Sequence, residues 1–124
     1  MERIKIQESS RTPRVLFDGT NGILEIKGRS TPENAADFYK EIIDGIDEYT
    51  KDPKDLLEIT LDYEFFNTSS SKEILALLNK IKESKCNCKV NWVYEEGDLD
   101  MQEAGEDYRD IVKHLDFTFI EKPE

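Results

Sequence analysis

The sequence of 124 residues is poor in metal-binding and redox-active side chains, with two cysteines and one histidine. Cys86 and Cys88 stand one residue apart, a spacing that gives neither a disulfide framework nor a CxxC redox pair. One histidine does not complete a zinc quartet with them. We therefore expect two reduced thiols, as in a cytoplasmic protein, and no metal or other cofactor.

The sequence also lacks long apolar runs. No stretch approaches the roughly 18–20 apolar residues that a membrane-spanning helix requires. The first ten residues, MERIKIQESS, contain no apolar core of a secretory signal. Both features predict a cytoplasmic location without membrane insertion.

Basic residues are few relative to acidic ones: 17 lysines and arginines stand against 28 aspartates and glutamates, a formal net charge of −11. This charge repels phosphate backbones and anionic lipid, so it argues against nucleic acid and membrane surfaces as partners. Hydrophobic residues make up 37% of the chain, enough for a packed core. We expect one domain over residues 1–124, with a surface suited to basic partners.

Apolar periodicity predicts an α/β domain. Three segments show helical spacing, at 35–49, 74–81 and 101–112. Six segments are typical of strands: 2–7, 14–17, 23–27, 57–65, 90–94 and 117–120. The order is βββ-αβ-αβ-αβ, which predicts an antiparallel hairpin followed by parallel strands in one mixed sheet. In the fourth strand, apolar residues at 57, 59, 61, 63 and 65 alternate with polar ones.

The helix starts carry capping signals. The run Ser30-Thr31-Pro32-Glu33 predicts a hydroxyl N-cap for the first helix. Ser70 and Glu73 predict a capping box for the second helix. His114 is expected late in the third helix with no adjacent serine or cysteine nucleophile, so it is a weak candidate for a catalytic base.

The run Phe66-Asn67-Thr68-Ser69-Ser70-Ser71 lies where a strand passes into a helix. Sites in α/β folds gather at such places, and helix N-termini hold anions well. A phosphate on Thr68 or a neighbouring serine would add about −1.5 to −2 charges at the start of the second helix. From composition alone, helix capping accounts for most runs of this kind, but capping requires one hydroxyl and not four in succession.

A second candidate site is the acidic segment that contains Glu95, Glu96, Asp98 and Asp100 and extends to Glu106. Its carboxylates could hold a divalent metal in a hydrolase, although the EF-hand spacing is absent. Acids at a helix start are also favoured by the helix dipole. We favour the helix start, with docking of a basic partner as a further possibility. Asp62 and Glu64 could form a carboxylate pair on one strand face.

Several blocks of sequence resemble the SiaC family of bacterial regulatory phosphoproteins, in the same order and across nearly the whole chain. The opening blocks are TPRVLFD at 12–18, GILEI at 22–26 and GRSTPENA at 28–35. The central block is FFNTSSSK at 65–72, and the third comprises WVYEE at 92–96 and DMQEAGE at 100–106. The combination of GRSTPENA with FNTSSSK is specific.

This resemblance implies a partner-switching protein with the architecture of STAS domains, such as anti-sigma-factor antagonists, and not an enzyme. It implies that Thr68 is phosphorylated by a protein kinase and dephosphorylated by a PP2C-type phosphatase. Phe66, Asn67, Ser69, Ser70 and Ser71 would shape the phosphorylated loop and the partner contact. The unphosphorylated form would activate a diguanylate cyclase, raising cyclic di-GMP and promoting biofilm, or would bind another regulator, such as an anti-sigma factor.

Overall fold

The structure is a computed structural model that describes residues 3–124, and its nine elements follow the predicted order. The predicted first strand begins at residue 2, which lies outside the described residues. The elements are β1 (Arg3–Ile6), β2 (Arg14–Asp18), β3 (Ile23–Ser30), α1 (Ala35–Tyr49), β4 (Leu57–Phe66), α2 (Thr68–Ser84), β5 (Cys88–Glu95), α3 (Leu99–Ile111) and β6 (Asp116–Lys122).

The six strands form one mixed sheet in which their order in space equals their order in sequence. Strands β1, β2 and β3 are antiparallel, and β3 to β6 are parallel. Each helix connects neighbouring parallel strands in the same direction along the sheet. Because such crossovers are right-handed, all three helices pack on one face and the other face is open.

The core lies between the sheet and the helices. Leu57, Ile59 and Leu61 of β4 are buried, as the alternation predicts, and Trp92 of β5 is fully buried. Helix α1 buries the predicted stripe with Tyr39, Ile42 and Ile46 among its members; these residues are also fully buried. Among residues 3–124, no helix is long and apolar enough to cross a membrane.

A β-bulge interrupts the pairing of β3 with β4 at Glu64. Gly28 pairs with Tyr63 and Arg29 pairs with Phe65, so Glu64 has no partner on β3. The extra residue reverses the alternation. Phe65, predicted on the core face, is therefore 44% exposed beneath the guanidinium of Arg29, 4.8 Å from its ring centre. Phe66 turns inward instead.

The first helix spans the predicted residues 35–49, but its predicted hydroxyl N-cap is wrong. Ser30 ends β3 as a paired, buried residue, so it is not available to cap a helix. The N-cap is Asn34, whose side chain accepts a hydrogen bond of 3.1 Å from the Asp37 N–H.

The predicted end of the third helix is also wrong. Helix α3 ends at Ile111 with Val112 as C-cap. His114 lies beyond it, in the turn before β6, with a left-handed φ of 81°. The fifth strand, predicted over 90–94, begins earlier, at Cys88, and ends at Glu95.

Candidate functional site

The start of α2 is anchored to the sheet by Asn67. Its N–H donates to the carbonyl of Ser30 at 3.1 Å, and its side-chain oxygen accepts from the N–H of Ser70 at 2.9 Å. Asn67 is therefore the N-cap, and the predicted capping box of Ser70 and Glu73 is wrong. The bond to the end of β3 holds Asn67 at the carboxyl ends of the parallel strands. Ser70 then lies within the first turn of α2.

The hydroxyl residues of this turn differ sharply in exposure. Thr68 and Ser69 are exposed, Ser70 is fully buried, and Ser71 is half-buried. We call Thr68 and Ser69 the helix-mouth hydroxyls. A modifying enzyme can reach these two side chains without any change in the backbone, whereas Ser70 is accessible only if the turn unfolds.

Ser70 belongs to a buried chain of hydroxyl groups. Its Oγ lies 3.0 Å from the Ser30 carbonyl oxygen and 2.9 Å from Ser30 Oγ. Ser30 Oγ lies 2.7 Å from the Tyr39 hydroxyl, which lies 3.0 Å from that of Tyr63. Each hydroxyl has one proton to donate, and that of Ser70 goes to the Ser30 carbonyl. Ser30 must therefore donate to Ser70, Tyr39 to Ser30 and Tyr63 to Tyr39.

This chain joins β3, α1, β4 and the first turn of α2, and each of its hydroxyl groups has a partner. Burial is the main cause that raises the pKa of both Tyr39 and Tyr63 above the ordinary value. The hydroxyls therefore stay protonated and act as structural donors.

Ser71 connects the same turn to α3. The Tyr108 hydroxyl donates to the Ser71 carbonyl at 2.9 Å and lies 3.0 Å from Ser71 Oγ. Burial raises the pKa of Tyr108 to about 12, so this hydroxyl also remains a donor. Phe66 packs against both Trp92 and Tyr108, whose ring centres lie 6.4 and 6.3 Å from its own and 5.5 Å from each other. The helix-mouth hydroxyls therefore stand on a rigid, fully bonded support.

The charges around the helix-mouth hydroxyls suit an anion. The first turn of α2 contains no acidic residue, although the chain as a whole is strongly acidic. Its free N–H groups carry the positive end of the helix dipole. A phosphate on Thr68 would therefore meet donors and partial positive charge within its own helix.

The acidic segment forms the start of α3, which lies at the same carboxyl ends of the parallel strands. Asp98 is the N-cap of α3, and its Oδ1 accepts from the Met101 N–H at 3.1 Å. Glu95, Glu96 and Asp100 are exposed. The described residues contain no group of three or more His, Cys, Asp or Glu side chains placed to hold a metal ion. Asp62 pairs with Lys122 at 2.7 Å rather than with Glu64.

Sequence reasoning missed the tyrosines that support the site. Helical spacing places Tyr39 on the apolar stripe of the first helix and Tyr108 on that of the third, and it predicts only core packing for both. The available signal was a tyrosine at a core position, because a buried phenolic hydroxyl needs a partner. Ser30 and the serines after Thr68 were candidates for that partner.

Comparisons with known proteins find similar chains in Pseudomonas aeruginosa. The chain is 26% identical over 113 residues to the uncharacterized protein PA14_02130 of Pseudomonas aeruginosa strain UCBPP-PA14, covering 89% of this chain and 90% of that protein. The solved structure of SiaC of Pseudomonas aeruginosa superposes with a TM-score of 0.86 at 25% identity, and all of both chains is covered.

Two further solved structures are similar to this chain. The apo-SiaC crystal structure from Pseudomonas aeruginosa gives a TM-score of 0.88 at 25% identity, over 97% of this chain and 99% of that one. The complex of the diguanylate cyclase SiaD with its activator SiaC, from the same organism, gives 0.84 at 25% identity, over 98% and 99%. The sequence pattern of the SiaC family regulatory phosphoproteins matches residues 6–122, and the chain therefore belongs to that family.

Proposed function

We propose that this chain is a phosphorylation-controlled activator of a diguanylate cyclase, and that Thr68 carries the switch. With Thr68 unmodified, the protein binds the cyclase; phosphorylation of Thr68 breaks the contact. The observation that carries the proposal is the exposure of Thr68 as the first residue of α2, while Ser70 is buried and Ser71 is bonded to Tyr108. The related SiaC of Pseudomonas aeruginosa is the activator of the diguanylate cyclase SiaD.

The switch is electrostatic. A phosphate on Thr68 would add about −1.5 to −2 charges to the surface. A partner that buries the start of α2 would have to bury this charge, which is costly unless the partner supplies matching cations. Because Thr68 projects outward, the phosphate alters the binding surface while the hydroxyl chain behind it keeps the turn in place.

The partner surface extends along the carboxyl ends of the parallel strands, on either side of Thr68. Phe65 precedes α2 and is 44% exposed, and Leu99 begins α3 and is 68% exposed. Aromatic side chains are enriched at the centres of protein interfaces, so Phe65 is the expected anchor of this surface. Glu95, Glu96 and Asp100 give the surface beside Leu99 an acidic rim, which favours a partner with basic residues there.

Two enzymes are needed to operate the switch: a protein kinase and a PP2C-type phosphatase that act on Thr68. Ser69 is the other hydroxyl they could reach directly. Ser70 is enclosed in the hydroxyl chain, and Ser71 is bonded to Tyr108. We therefore expect phosphate on Thr68, with Ser70 and Ser71 unmodified.

The first test is site-localising mass spectrometry on protein purified from its own host, directed at the peptide that contains residues 66–72. Phosphate on Thr68 is the expected result. Phosphate confined to Ser69 would keep a switch at the helix mouth but contradict the assignment to Thr68. Good coverage of the peptide without phosphate in any growth condition would contradict phosphorylation control.

The second test is binding. Thr68→Ala should bind the host's cyclase as well as the unmodified protein does, and Thr68→Asp should bind at least about tenfold more weakly, equivalent to about 1.4 kcal/mol. The matched control is Thr20→Asp, which adds the same charge in the β2–β3 turn. Thr20 is exposed and lies at the opposite end of the parallel strands. Calorimetric titration measures affinity, and cyclic di-GMP production measures activation.

Equal affinity of Thr68→Ala and Thr68→Asp would rule out the switch. A pull-down from the host with Thr68→Ala as bait identifies the effector. Recovery of an anti-sigma factor in place of a cyclase would keep the switch and replace the effector.

A further inference from the structure

Strand β6 forms one edge of the sheet, and no strand lies beyond it in the described part of the chain. It is seven residues long, with the sequence DFTFIEK, and contains no proline. Its Ile120 is 41% exposed. Long apolar edge strands offer unpaired N–H and C=O groups to another strand, and proteins usually protect them.

The pairing with β5 shows which backbone groups of β6 are free. The Glu96 N–H donates to the Lys122 carbonyl at 2.8 Å, so Lys122 directs its carbonyl toward β5. In a parallel ladder, alternate residues of a strand bond to the same neighbour. Thr118 and Ile120 therefore bond to β5 as well. The backbone N–H and C=O groups of Phe117, Phe119 and Glu121 therefore point away from β5.

We propose that β6 pairs antiparallel with β6 of a second copy of this chain, about a two-fold axis at Phe119. In this register, Phe119 lies opposite Phe119 of the second copy, and Phe117 lies opposite Glu121. All three outward N–H groups and all three outward carbonyls of each strand then find partners. A shift by two residues in either direction leaves Phe117 or Glu121 of each copy unpaired.

The same register matches the side chains on the open face of the sheet. It places Asp116 of each copy opposite Lys122 of the other, and Thr118 opposite Ile120. Opposite charges directly across an antiparallel pair stabilise it, and like charges destabilise it. The register that satisfies the backbone is thus also the one that matches the charges, and these two observations are independent.

The other edge of the sheet does not have this complementarity. The described residues of β1 are Arg3–Ile6, and both of its charged residues, Arg3 and Lys5, are basic and exposed. Self-pairing of β1 about Ile4 would place Arg3 opposite Lys5, which is repulsive. Self-association is therefore expected through β6.

The dimer is expected to be weak. One strand pair buries less surface than a standard protein interface, and each copy carries a charge of −11. The equilibrium should shift from monomer to dimer as the protein concentration rises. Sedimentation velocity of the full chain over a wide concentration range measures this shift.

The decisive variant pair is Glu121→Pro and Glu121→Ala. Proline at this exposed position removes an N–H that points away from β5, so the ladder within the chain is kept. Alanine removes the same side chain but retains the N–H. We expect Glu121→Pro to weaken the dimer at least about tenfold and Glu121→Ala to leave it nearly unchanged, both with unchanged circular dichroism. A dimer that persists in Glu121→Pro would overturn the proposal.

A cross-link tests the register. In the double variant Thr118→Cys with Ile120→Cys, the introduced thiols of different copies face each other twice, so mild oxidation should yield a covalent dimer. Each single variant is the control, because its thiols lie two residues out of register and the native thiols are still present. Cross-linking by a single variant, or a monomer at every concentration without cross-linking of the double variant, would overturn the proposal.

Discussion

Asp18 shows how one carboxylate organises the β2–β3 turn. Its Oδ1 accepts hydrogen bonds from the backbone N–H groups of Thr20 and Asn21, at 3.1 and 3.2 Å. Its Oδ2 accepts from the Asn21 side chain at 2.8 Å and from Arg3 at 3.0 Å. The hydrogen bonds from Asn21 and Arg3 lower the pKa of Asp18 from 3.8 to about 2.

This pKa predicts part of the acid sensitivity of the protein. Because the folded pKa is lower than the unfolded one, the stabilisation is complete above about pH 4 and is lost as the pH falls toward 2. Asp18→Asn should therefore lower the free energy of unfolding at pH 7, and its difference from the unmodified protein should shrink between about pH 4 and 2.

Urea denaturation across this pH range, with Asp52→Asn in an exposed segment as control, measures the difference. A difference that does not change with pH would show that the charge of Asp18 is not its cause.

At the scale of elements, α3 lies close to the sheet because it has a glycine at the contact. A Cβ at Gly105 would lie 2.4 Å from Trp92 Cδ1, 2.5 Å from Trp92 Nε1 and 2.8 Å from Phe119 Cε2. The indole cannot easily move, since its Nε1 donates to the Met101 carbonyl at 2.9 Å. Gly105 thus sets the distance between α3 and strands β5 and β6.

Gly105→Ala should destabilise the protein by about 1–3 kcal/mol through overpacking. This is contrary to the intrinsic preference for alanine in helices, which is worth about 1 kcal/mol in the opposite direction. Urea denaturation measures both this variant and Glu103→Ala, an exposed control on the same helix. A Gly105→Ala protein at least as stable as the parent would contradict the close contact.

At the scale of the whole molecule, the net charge of −11 opposes compactness. Several ion pairs among the described residues, such as Lys40 with Asp44 and Lys51 with Glu48, have two exposed partners. Exposed pairs of this kind contribute about 0–1 kcal/mol each. General repulsion among carboxylates should therefore outweigh the attraction within individual pairs.

We accordingly expect sodium chloride to raise the melting temperature at pH 7, since salt screens the repulsion. Thermal unfolding at a series of sodium chloride concentrations, from low to high ionic strength, measures the effect. A neutral osmolyte at equal osmolality is the control. A melting temperature that falls with added salt would show that specific ion pairs dominate.

The order of the elements could be predicted from the sequence because it rests on local periodicity. Alternation in β4 and helical spacing in α1 depend on which face each side chain presents, and neighbouring residues alone set that face. The α/β class followed from the alternation of strands with helices. The sequence also indicated Thr68 and its neighbours as a candidate site. They lie where a strand passes into a helix, and they belong to a motif that resembles the SiaC family.

The sequence by itself determined the fold class, the order of strands and helices, and the position of the hydroxyl run. Only the tertiary structure decided that Asn67 caps α2, that Ser70 is buried against Ser30, and that Thr68 remains exposed. The bulge at Glu64, which turns Phe65 outward, was likewise invisible in one strand considered alone. Each of these features depends on contacts between β3 and β4 or between α2 and the sheet, and such contacts join residues far apart in the chain.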